Sequence, residues 1–391
     1  MISRRAFIGT ASTAVLGAAA LGSSALGGAR PATLGRARRL AADGGLPVTV
    51  ANKTGAHGTD TIRMYIVGTD PSGQQGHVTA GGAFTPCATS DNGSGGFTDY
   101  ALPIDGTVNL PKMSGRIYFA LGDSLKLKVV ADGNGKPALQ YPAGWVGSDP
   151  NFGVLHDWIE FTYNDDGMFC NTTMVDQFSV PLAITLAGAS TQSTGELAGG
   201  GRDAIFSDVS GAQGFGDLVV ADGKRIIAPG HGVETGRFAG DYYASYVDSV
   251  WSRYTSGSLT VKVNSGTYTG KVSGDTLTFD GGPKPISKPS TMDVLFCNGA
   301  LAAPNDGVTG PVAAALGAAF NRSTLLSSST QPTSDASAFY KEAVTNHYAA
   351  AMHAHSKDGK AYGFAFDDVA GFASYIQDTA PTSLKITLTP F

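Results

Sequence analysis

Residues 157–164 read Asp-Trp-Ile-Glu-Phe-Thr-Tyr-Asn, and this stretch decides the fold class of the region around it. Apolar and polar side chains alternate along it, which is typical of a β-strand with one buried face. The apolar members share one side of such a strand and are expected to be buried: Ile159, Phe161 and Tyr163. The other side carries an aromatic ring and three polar groups: Trp158, Glu160, Thr162 and Asn164.

Short alternating runs separated by turns extend outward from this strand over residues 46–190. Residues 115–121 form one such run, and Asp-Gly-Asn-Gly at residues 132–135 is a turn signal. This pattern predicts an antiparallel barrel or sandwich domain. Residues 383–391 alternate again, so we expect this last run to return and pair with the first strand.

Residues 191–382 have a different character and predict a mixed α/β domain. The segment from Pro311 to Phe320 is rich in alanine and reads as a helix. Asp335 to His355 reads as the best helix of the chain, with Asp335 as its N-cap. The predicted fold class is therefore mainly β with an α/β part.

The first residues read as an export signal. Arg4 and Arg5 precede a run of small and apolar residues, which is the pattern of a twin-arginine signal peptide over residues 1–29. Residues 30–45 then read as a linker or pro-segment. We expect a secreted, extracellular protein, with a membrane anchor or a wall protein held by its N-terminus as the alternatives.

The charge of the chain argues against anionic partners. The formal net charge is −5, and residues 1–45 carry +5 of their own, which leaves −10 for the rest. Such a chain repels nucleic acid and anionic membranes, whereas a neutral polysaccharide is indifferent to its field. No nucleic acid and, after signal removal, no membrane is expected as a partner, and the protein is expected to be a monomer.

Cysteine and histidine usage gives no sign of a metal or a cofactor. Cys87, Cys170 and Cys297 allow one disulfide at most and include no Cys-x-x-Cys pair. His353 and His355 would point to different sides of a helix. The His-Gly-Val-Glu segment that begins at His231 is interpreted as a turn in a glycine-rich loop. We therefore expect neither metal nor cofactor.

A second acidic side chain of interest, Asp176, follows Thr173 in a stretch that does not alternate. Thr173 and Asp176 are three residues apart, so their side chains would point to opposite sides of a regular strand. For both to face one cleft, the chain must form a bulge or loop here. If the chain doubles back, Asp176 can face Glu160. Hydrolysis of a glycosidic bond needs two carboxyl groups. From spacing alone, the alternative is that both are solvated or cap turns.

The motifs in this region resemble glycoside hydrolase family 64, the laminaripentaose-producing β-1,3-glucanases. The resemblance rests on Trp-Ile-Glu-Phe-Thr-Tyr-Asn at residues 158–164 and Met-Val-Asp-Gln-Phe at residues 174–178. Further matching stretches, such as residues 114–119, 200–206 and 362–369, extend it from about residue 46 to the C-terminus. It implies a thaumatin-like architecture, in which a β-barrel or sandwich domain and a mixed α/β domain flank a wide groove.

The resemblance also implies roles for individual residues. It makes Glu160 the general acid and Asp176 the general base of an inverting hydrolysis of β-1,3-glucan, with laminaripentaose-type products. Laminarin, curdlan and fungal cell-wall glucan would be substrates. The positions that match sugar-binding residues of the family, or that we add as sugar contacts, are Trp158, Thr162, Asn164, Phe169, Thr173, Asp367 and Asp368. Relatives can carry tryptophan at Phe169, which would weaken that subsite here.

The main alternative function is a non-catalytic glucan-binding or antifungal module of the same architecture. It differs from an enzyme in one observable, since only an enzyme releases reducing ends from curdlan or laminarin. The presence of both matched carboxylates favours the enzyme.

Overall fold

The computed structural model describes residues 45–391, so the predicted export signal and nearly all of the linker lie outside the described residues. The described chain divides into two compact units. The sandwich unit comprises residues 45–231, Ala351–Tyr362 and Ser374–Phe391, and thus extends past residue 190. The mixed unit comprises Gly232–Ala350 and Gly363–Ala373.

Most regular structure is β-strand, as the sequence predicts. In chain order the strands are β1 (Leu46–Asn52), β2 (Ile62–Thr69), β3 (Gln75–Val78), β4 (Phe84–Pro86), β5 (Thr107–Leu110), β6 (Met113–Leu121), β7 (Lys128–Ala131), β8 (Pro137–Gln140), β9 (Leu155–Asn164), β10 (Gly167–Thr172), β11 (Gln177–Phe178), β12 (Leu182–Ala187), β13 (Thr191–Thr194), β14 (Val219–Val220), β15 (Arg225–Ile227), β16 (Leu259–Val263), β17 (Gly266–Ser273), β18 (Thr276–Phe279), β19 (Ile286–Ser287), β20 (Thr330–Gln331), β21 (Tyr375–Asp378) and β22 (Ser383–Leu388).

Helices are fewer and mostly short. Those of the described residues are α1 (Gly201–Gly211), α2 (Pro229–Glu234), α3 (Ala244–Ser256), α4 (Thr291–Phe296), α5 (Thr309–Asn321) and α6 (His347–His355). No helix among residues 45–391 has the length and apolar character needed to cross a membrane.

Two large sheets form the sandwich unit. One has the strand order β13-β12-β22-β1-β5, and the other has the order β21-β10-β9-β6-β2-β3-β4. Apolar side chains from both sheets join in one buried cluster, so the sheets pack face to face. Leu384 and Ile386 of β22 pair with Val48 and Val50 of β1 in parallel, which confirms the predicted return of the last run to the first strand.

Strand β9 lies inside the seven-stranded sheet, between β6 and β10, and includes residues 157–164. Ile159, Phe161 and Tyr163 join the core between the sheets, which confirms the predicted buried side. The opposite side of β9 therefore faces away from the second sheet and carries Glu160 and Thr162.

The mixed unit is built on the sheet β19-β18-β17-β16-β20, with α3 packed against β17. The predicted alanine-rich helix is present as α5 and is almost wholly buried. The predicted helix from Asp335 to His355 is wrong over its first half. Asp335 caps only a 3₁₀ turn, and Tyr340 has a left-handed backbone (φ 58°) that an α-helix cannot include.

All three cysteines are free and buried. Cys170 lies in the core between the two sheets, where burial raises its pKa well above the usual range of a thiol. That environment suits a structural side chain and agrees with the sequence interpretation.

Candidate active site

The central feature of the site is a guanidinium group that contacts two carboxylates. Arg116 on β6 lies directly opposite Glu160 on β9 in the sheet register. Its Nη2 and Nε atoms lie 3.0 and 3.2 Å from Glu160 Oε1. The same Nη2 lies 3.8 Å from Asp176 Oδ2. The two carboxylates that the sequence singled out are therefore brought together on one cation.

Glu160 is placed by the regular geometry of its sheet. Side chains alternate along β9, and Glu160 falls on the side away from the core. Its side chain is 29% exposed, so solvent reaches it. On the other neighbour, β10, the residue opposite Glu160 is Asn171. Asn171 is buried, and its Nδ2 has no hydrogen-bond partner among the described residues.

Asp176 is placed by a break in regular structure. It lies on a bend between β10, which ends at Thr172, and β11, which begins at Gln177. This confirms the predicted loop between Thr173 and Asp176. The Ala228 N–H donates to Asp176 O over 2.9 Å, in line with the pairing of β11 and β15. The bend therefore lies beside the residues that follow β15.

Two side chains tie the segment after this bend to the start of β9. Asp157 Oδ2 accepts hydrogen bonds from the N–H groups of Ser179 and Val180. Gln177 Nε2 donates to His156 O over 3.0 Å. Because His156 and Asp157 precede Glu160 on the same strand, these bonds fix Asp176 relative to Glu160.

His231 on α2 is the second partner of Asp176. Its Nε2 lies 3.0 Å from Asp176 Oδ1, and its side chain is only 9% exposed. The sequence interpretation of this segment as a glycine-rich turn is wrong, since residues 229–234 form a short helix. The Trp145 ring stacks on His231 with centroids 4.0 Å apart and planes 12° from parallel.

The electrostatics of the cluster keep Asp176 ionised. Burial alone would raise the pKa of Asp176, but the His231 hydrogen bond and the charges of His231 and Arg116 outweigh it and lower this pKa. Arg116 remains protonated, because Tyr118, Glu160 and Asp176 oppose the effect of its burial and raise its pKa. The site thus presents an ionised aspartate beside a second carboxyl group and a permanent cation.

The segment that carries Trp145 is anchored on a buried arginine. Arg225 on β15 is completely buried and donates to the carbonyl oxygens of Gly144, Phe152 and Val154. Burial lowers the pKa of Arg225 to about 10, so it stays charged at neutral pH. Gly144 approaches this arginine so closely that an added Cβ would lie 2.9 Å from Arg225 Cζ and 2.3 Å from Gln177 Oε1.

Several predicted sugar-binding residues share the outer side of the seven-stranded sheet with Glu160. Thr162 lies directly opposite Phe169 on β10, and its hydroxyl donates to Ser114 Oγ over 3.0 Å. Asn164 ends β9 and accepts from Asp166 N in the following turn. Thr173 is buried just after β10. Their contacts with sugar stay predictions.

Two other expectations need correction. Trp158 is only 1% exposed, because the Arg116 guanidinium lies 4.9 Å above its ring and Tyr118 packs beside it, so it cannot stack on a sugar here. Asp367, in the mixed unit, is completely buried and bonded to Arg322, so it supports that unit's core instead of contacting sugar. Asp368 beside it is half-buried.

Sequence reasoning missed the two partners of the carboxylates. Alternation along residues 115–121 could have placed Arg116 on the outer side of its strand, but not opposite Glu160. No signal in the sequence links His231 to Asp176. Within residues 45–391, no group of three His, Cys, Asp or Glu side chains is arranged to hold a metal ion.

Comparison with known proteins gives a consistent result. The family model described as β-1,3-glucanase, glycoside hydrolase 64, matches residues 44–388. The chain is 36% identical, over 88% of its length, to a glucan endo-1,3-beta-glucosidase of Cellulosimicrobium cellulans, and it spans 65% of that relative.

Solved structures agree. A laminaripentaose-producing β-1,3-glucanase in complex with laminaritetraose is 37% identical, with a TM-score of 0.81 over 89% of this chain and 99% of that one. A β-1,3-glucanase domain from Clostridium beijerinckii is 31% identical, with a TM-score of 0.80 over 89% of this chain and 99% of that one. This chain belongs to glycoside hydrolase family 64, the β-1,3-glucanase family.

Proposed function

We propose that this protein hydrolyses β-1,3-glucan with inversion at the anomeric carbon, using Glu160 as general acid and Asp176 as general base. One observation carries the proposal. Both carboxylates lie on one guanidinium, that of Arg116, at 3.0 and 3.8 Å. Hydrolysis of a glycosidic bond requires two carboxyl groups that flank the bond, and both of these are partly exposed to solvent. The inverting outcome is proposed from the family resemblance.

The proposed roles of the two carboxylates differ because their surroundings differ. Asp176 is kept ionised by His231 and Arg116, so it can accept a proton from water. The oxygen of that water attacks the anomeric carbon while the bond to the leaving oxygen breaks. Glu160 gives its proton to the leaving oxygen, and the resulting carboxylate is stabilised by Arg116.

The substrate follows from the relatives. The similar proteins are named as β-1,3-glucanases, and one was solved with laminaritetraose bound. Laminarin, curdlan and fungal cell-wall glucan all contain this linkage. The acidic net charge of the chain does not oppose binding of such a neutral polymer.

The product proposal is laminaripentaose-type oligosaccharides. Its support is the name of the relative with the TM-score of 0.81, which is described as laminaripentaose-producing. Phe169 lies opposite the buried Thr162 on the neighbouring strand, and Thr162 is two residues from Glu160 along β9. We propose these two residues as part of the sugar-binding surface.

We also propose that the protein is exported and acts outside the cell as a monomer. The support for export is the Arg-Arg pair before a small-residue run in residues 1–29. Expression with and without residues 1–29, followed by fractionation, tests export. Size-exclusion chromatography of the secreted protein tests its oligomeric state.

The decisive experiment is product analysis from a linear β-1,3-glucan. Chromatography should show a pentasaccharide as the main product, and ¹H NMR during the reaction should show the α-anomer forming first. Release of the β-anomer first would contradict inversion. Glucan binding without release of reducing ends would replace the enzyme with a non-catalytic glucan-binding module.

A further inference from the structure

We propose that His231 is a positioning residue for the base Asp176, and that the stacked Trp145 ring holds His231 in the orientation this requires. The inference rests on the proposed function, since it assigns His231 a part in the same reaction. It adds two residues that the sequence motifs did not single out for the chemistry. Its basis is the set of contacts that surround Asp176.

The two oxygens of Asp176 have different neighbours. Oδ1 lies 3.0 Å from His231 Nε2, whereas Oδ2 lies 3.8 Å from Arg116 Nη2. Oδ2 is therefore the oxygen on the side of Glu160, and the water to be activated belongs next to it. A carboxylate that rotated would exchange these positions and point its reactive oxygen away from the substrate.

Regular structure does not prevent that rotation. Asp176 lies on a bend, outside the sheet register that orients Glu160. Arg116 lies near one oxygen of this carboxylate at 3.8 Å, and the shorter contact, from His231 to the other oxygen, is the hydrogen bond that can hold its orientation. Because an ionised carboxylate only accepts hydrogen bonds, the proton of this contact must sit on His231 Nε2. His231 can supply it in its neutral and in its protonated form.

The donor is fixed by its own packing. The centroid of the His231 ring lies 4.0 Å from that of the Trp145 ring in a nearly parallel stack, and a ring turned out of this plane would lose the contact. The residue before Trp145, Gly144, is bonded through its carbonyl oxygen to the buried Arg225 over 2.8 Å. A continuous set of contacts thus connects Asp176, through His231 and Trp145, with the interior of the sandwich unit.

His231 and Arg116 together lower the pKa of Asp176, against the effect of its burial. The other titratable groups close by are Tyr118, which interacts electrostatically with Asp176, and Glu160, which contacts the same guanidinium nitrogen. Loss of the His231 donor should raise that pKa, because the ionised carboxylate loses a hydrogen bond and a charge partner. The base would then be protonated at a higher pH. The acidic limb of kcat/KM should move to higher pH by the same amount.

The test compares His231→Phe with His231→Gln on a linear β-1,3-glucan. Phenylalanine can still stack on Trp145 but has no donor, whereas glutamine restores an N–H donor. We expect His231→Phe to lower kcat by about 10- to 100-fold with little change in KM, and to shift the acidic limb upward. His231→Gln should recover part of both effects. Trp145→Leu should reproduce the His231→Phe profile in weaker form.

The chain offers a matched control in another histidine–aspartate pair. His355 Nε2 lies 2.7 Å from Asp208 Oδ2, outside the carboxylate cluster. His355→Phe should leave kcat and the pH profile unchanged. An unshifted acidic limb in His231→Phe would overturn the proposal, whether or not kcat falls, because a structural role would lower activity without changing the titration of the base.

A second measurement separates this proposal from the proposed function. The carboxyl carbon of Asp176 can be titrated by ¹³C NMR in the wild type and in His231→Phe without any turnover. An upward shift of the Asp176 pKa supports the positioning contact even if the protein releases no reducing ends. An unchanged pKa rejects the contact even if the protein is an active glucanase.

Discussion

The two carboxylates of the site are held by different kinds of structure. Glu160 lies on β9, where alternation and the neighbouring strands fix its direction. Asp176 lies on a bend, where its position depends on His231, Arg116 and the bonds around β11 and β15. A regular strand thus places the proposed acid, and contacts between distant segments place the proposed base.

The largest effect should come from the carboxylates themselves. Glu160→Gln and Asp176→Asn should each lower kcat on glucan by about 10³-fold or more, since each removes a proton-transfer group. The two should differ on a laminarioligosaccharyl fluoride, because fluoride leaves without needing a proton. We expect Glu160→Gln to recover much of its activity on this substrate and Asp176→Asn to recover none.

Initial rates on both substrates, with circular dichroism as the check on folding, provide the measurement. Equal losses on the fluoride in both variants would remove the distinction between acid and base. Recovery by Asp176→Asn alone would reverse the two assignments.

The next effect concerns the cation that both regions share. Arg116→Met should lower kcat/KM by about 10- to 100-fold, because the carboxylate formed on Glu160 loses its counter-charge. It should also move the acidic limb to higher pH, since Arg116 lowers the pKa of Asp176. Steady-state kinetics between pH 3 and pH 8, as a rough span around the carboxyl titration, would show both effects.

Arg63→Met is the matched control for that substitution. Arg63 lies on β2 in the same unit and donates to the backbone oxygens of Asp60 and Ile62. Its loss should leave kcat/KM unchanged. If Arg116→Met behaves like the control, the shared cation has no part in the reaction.

A third substitution tests the packing of the segment that carries Trp145, the residue stacked on His231. Gly144→Ala places a Cβ 2.3 Å from Gln177 Oε1 and 2.9 Å from Arg225 Cζ, and both side chains are completely buried. We expect a loss of about 1–3 kcal/mol in the free energy of unfolding, as for other overpacked sites. Urea denaturation followed by tryptophan fluorescence measures it.

Gly147→Ala provides the comparison, since an added Cβ there meets nothing within 4 Å. Its free energy of unfolding should stay close to that of the wild type. Equal stability of the two variants would mean that the segment around Trp145 adapts freely, which would weaken the argument that it holds His231.

The smallest expected effect concerns Phe169, on the strand next to β9. Phe169→Trp adds ring area and an N–H group opposite Thr162, at a position where the sequence resemblance allows tryptophan. KM for glucan should fall by about two- to fivefold with kcat unchanged, by analogy with one added hydrogen bond. A change in kcat without a change in KM would place Phe169 in the chemistry instead of in sugar binding.

The sequence predicted the strand side of the site well, because the information there is local. Alternation alone assigned Ile159, Phe161 and Tyr163 to the core and Glu160 to the opposite side. It could not show that Trp158 is covered, because Arg116 and Tyr118 come from another strand. Burial of an aromatic ring depends on neighbours that periodicity does not reveal.

For the bend that carries Asp176, the sequence predicted a loop but not its contacts. The three-residue spacing of Thr173 and Asp176 indicated a loop. The partner of Asp176, His231, comes from a segment after β15, which this spacing does not reveal. His231 was interpreted as a turn, because its segment is rich in glycine and shows no periodicity. The same limit explains the helix from Asp335, where the left-handed backbone of Tyr340 ends a pattern that looked continuous. Long-range contacts and single backbone angles decide such segments.

The position of β22 has a consequence for the order in which the molecule is made. This strand lies in the interior of the five-stranded sheet, between β12 and β1, yet it follows the mixed unit in the sequence. A ribosome must therefore synthesise the residues up to Leu388 before that sheet can close. Pairings between such distant segments form slowly. During translation, β1 and β12 therefore each have one edge that lacks its partner strand, β22. Nascent chains stalled before residue 383 should consequently be sensitive to proteases, and a chaperone that shields this open edge would raise the yield of folded protein.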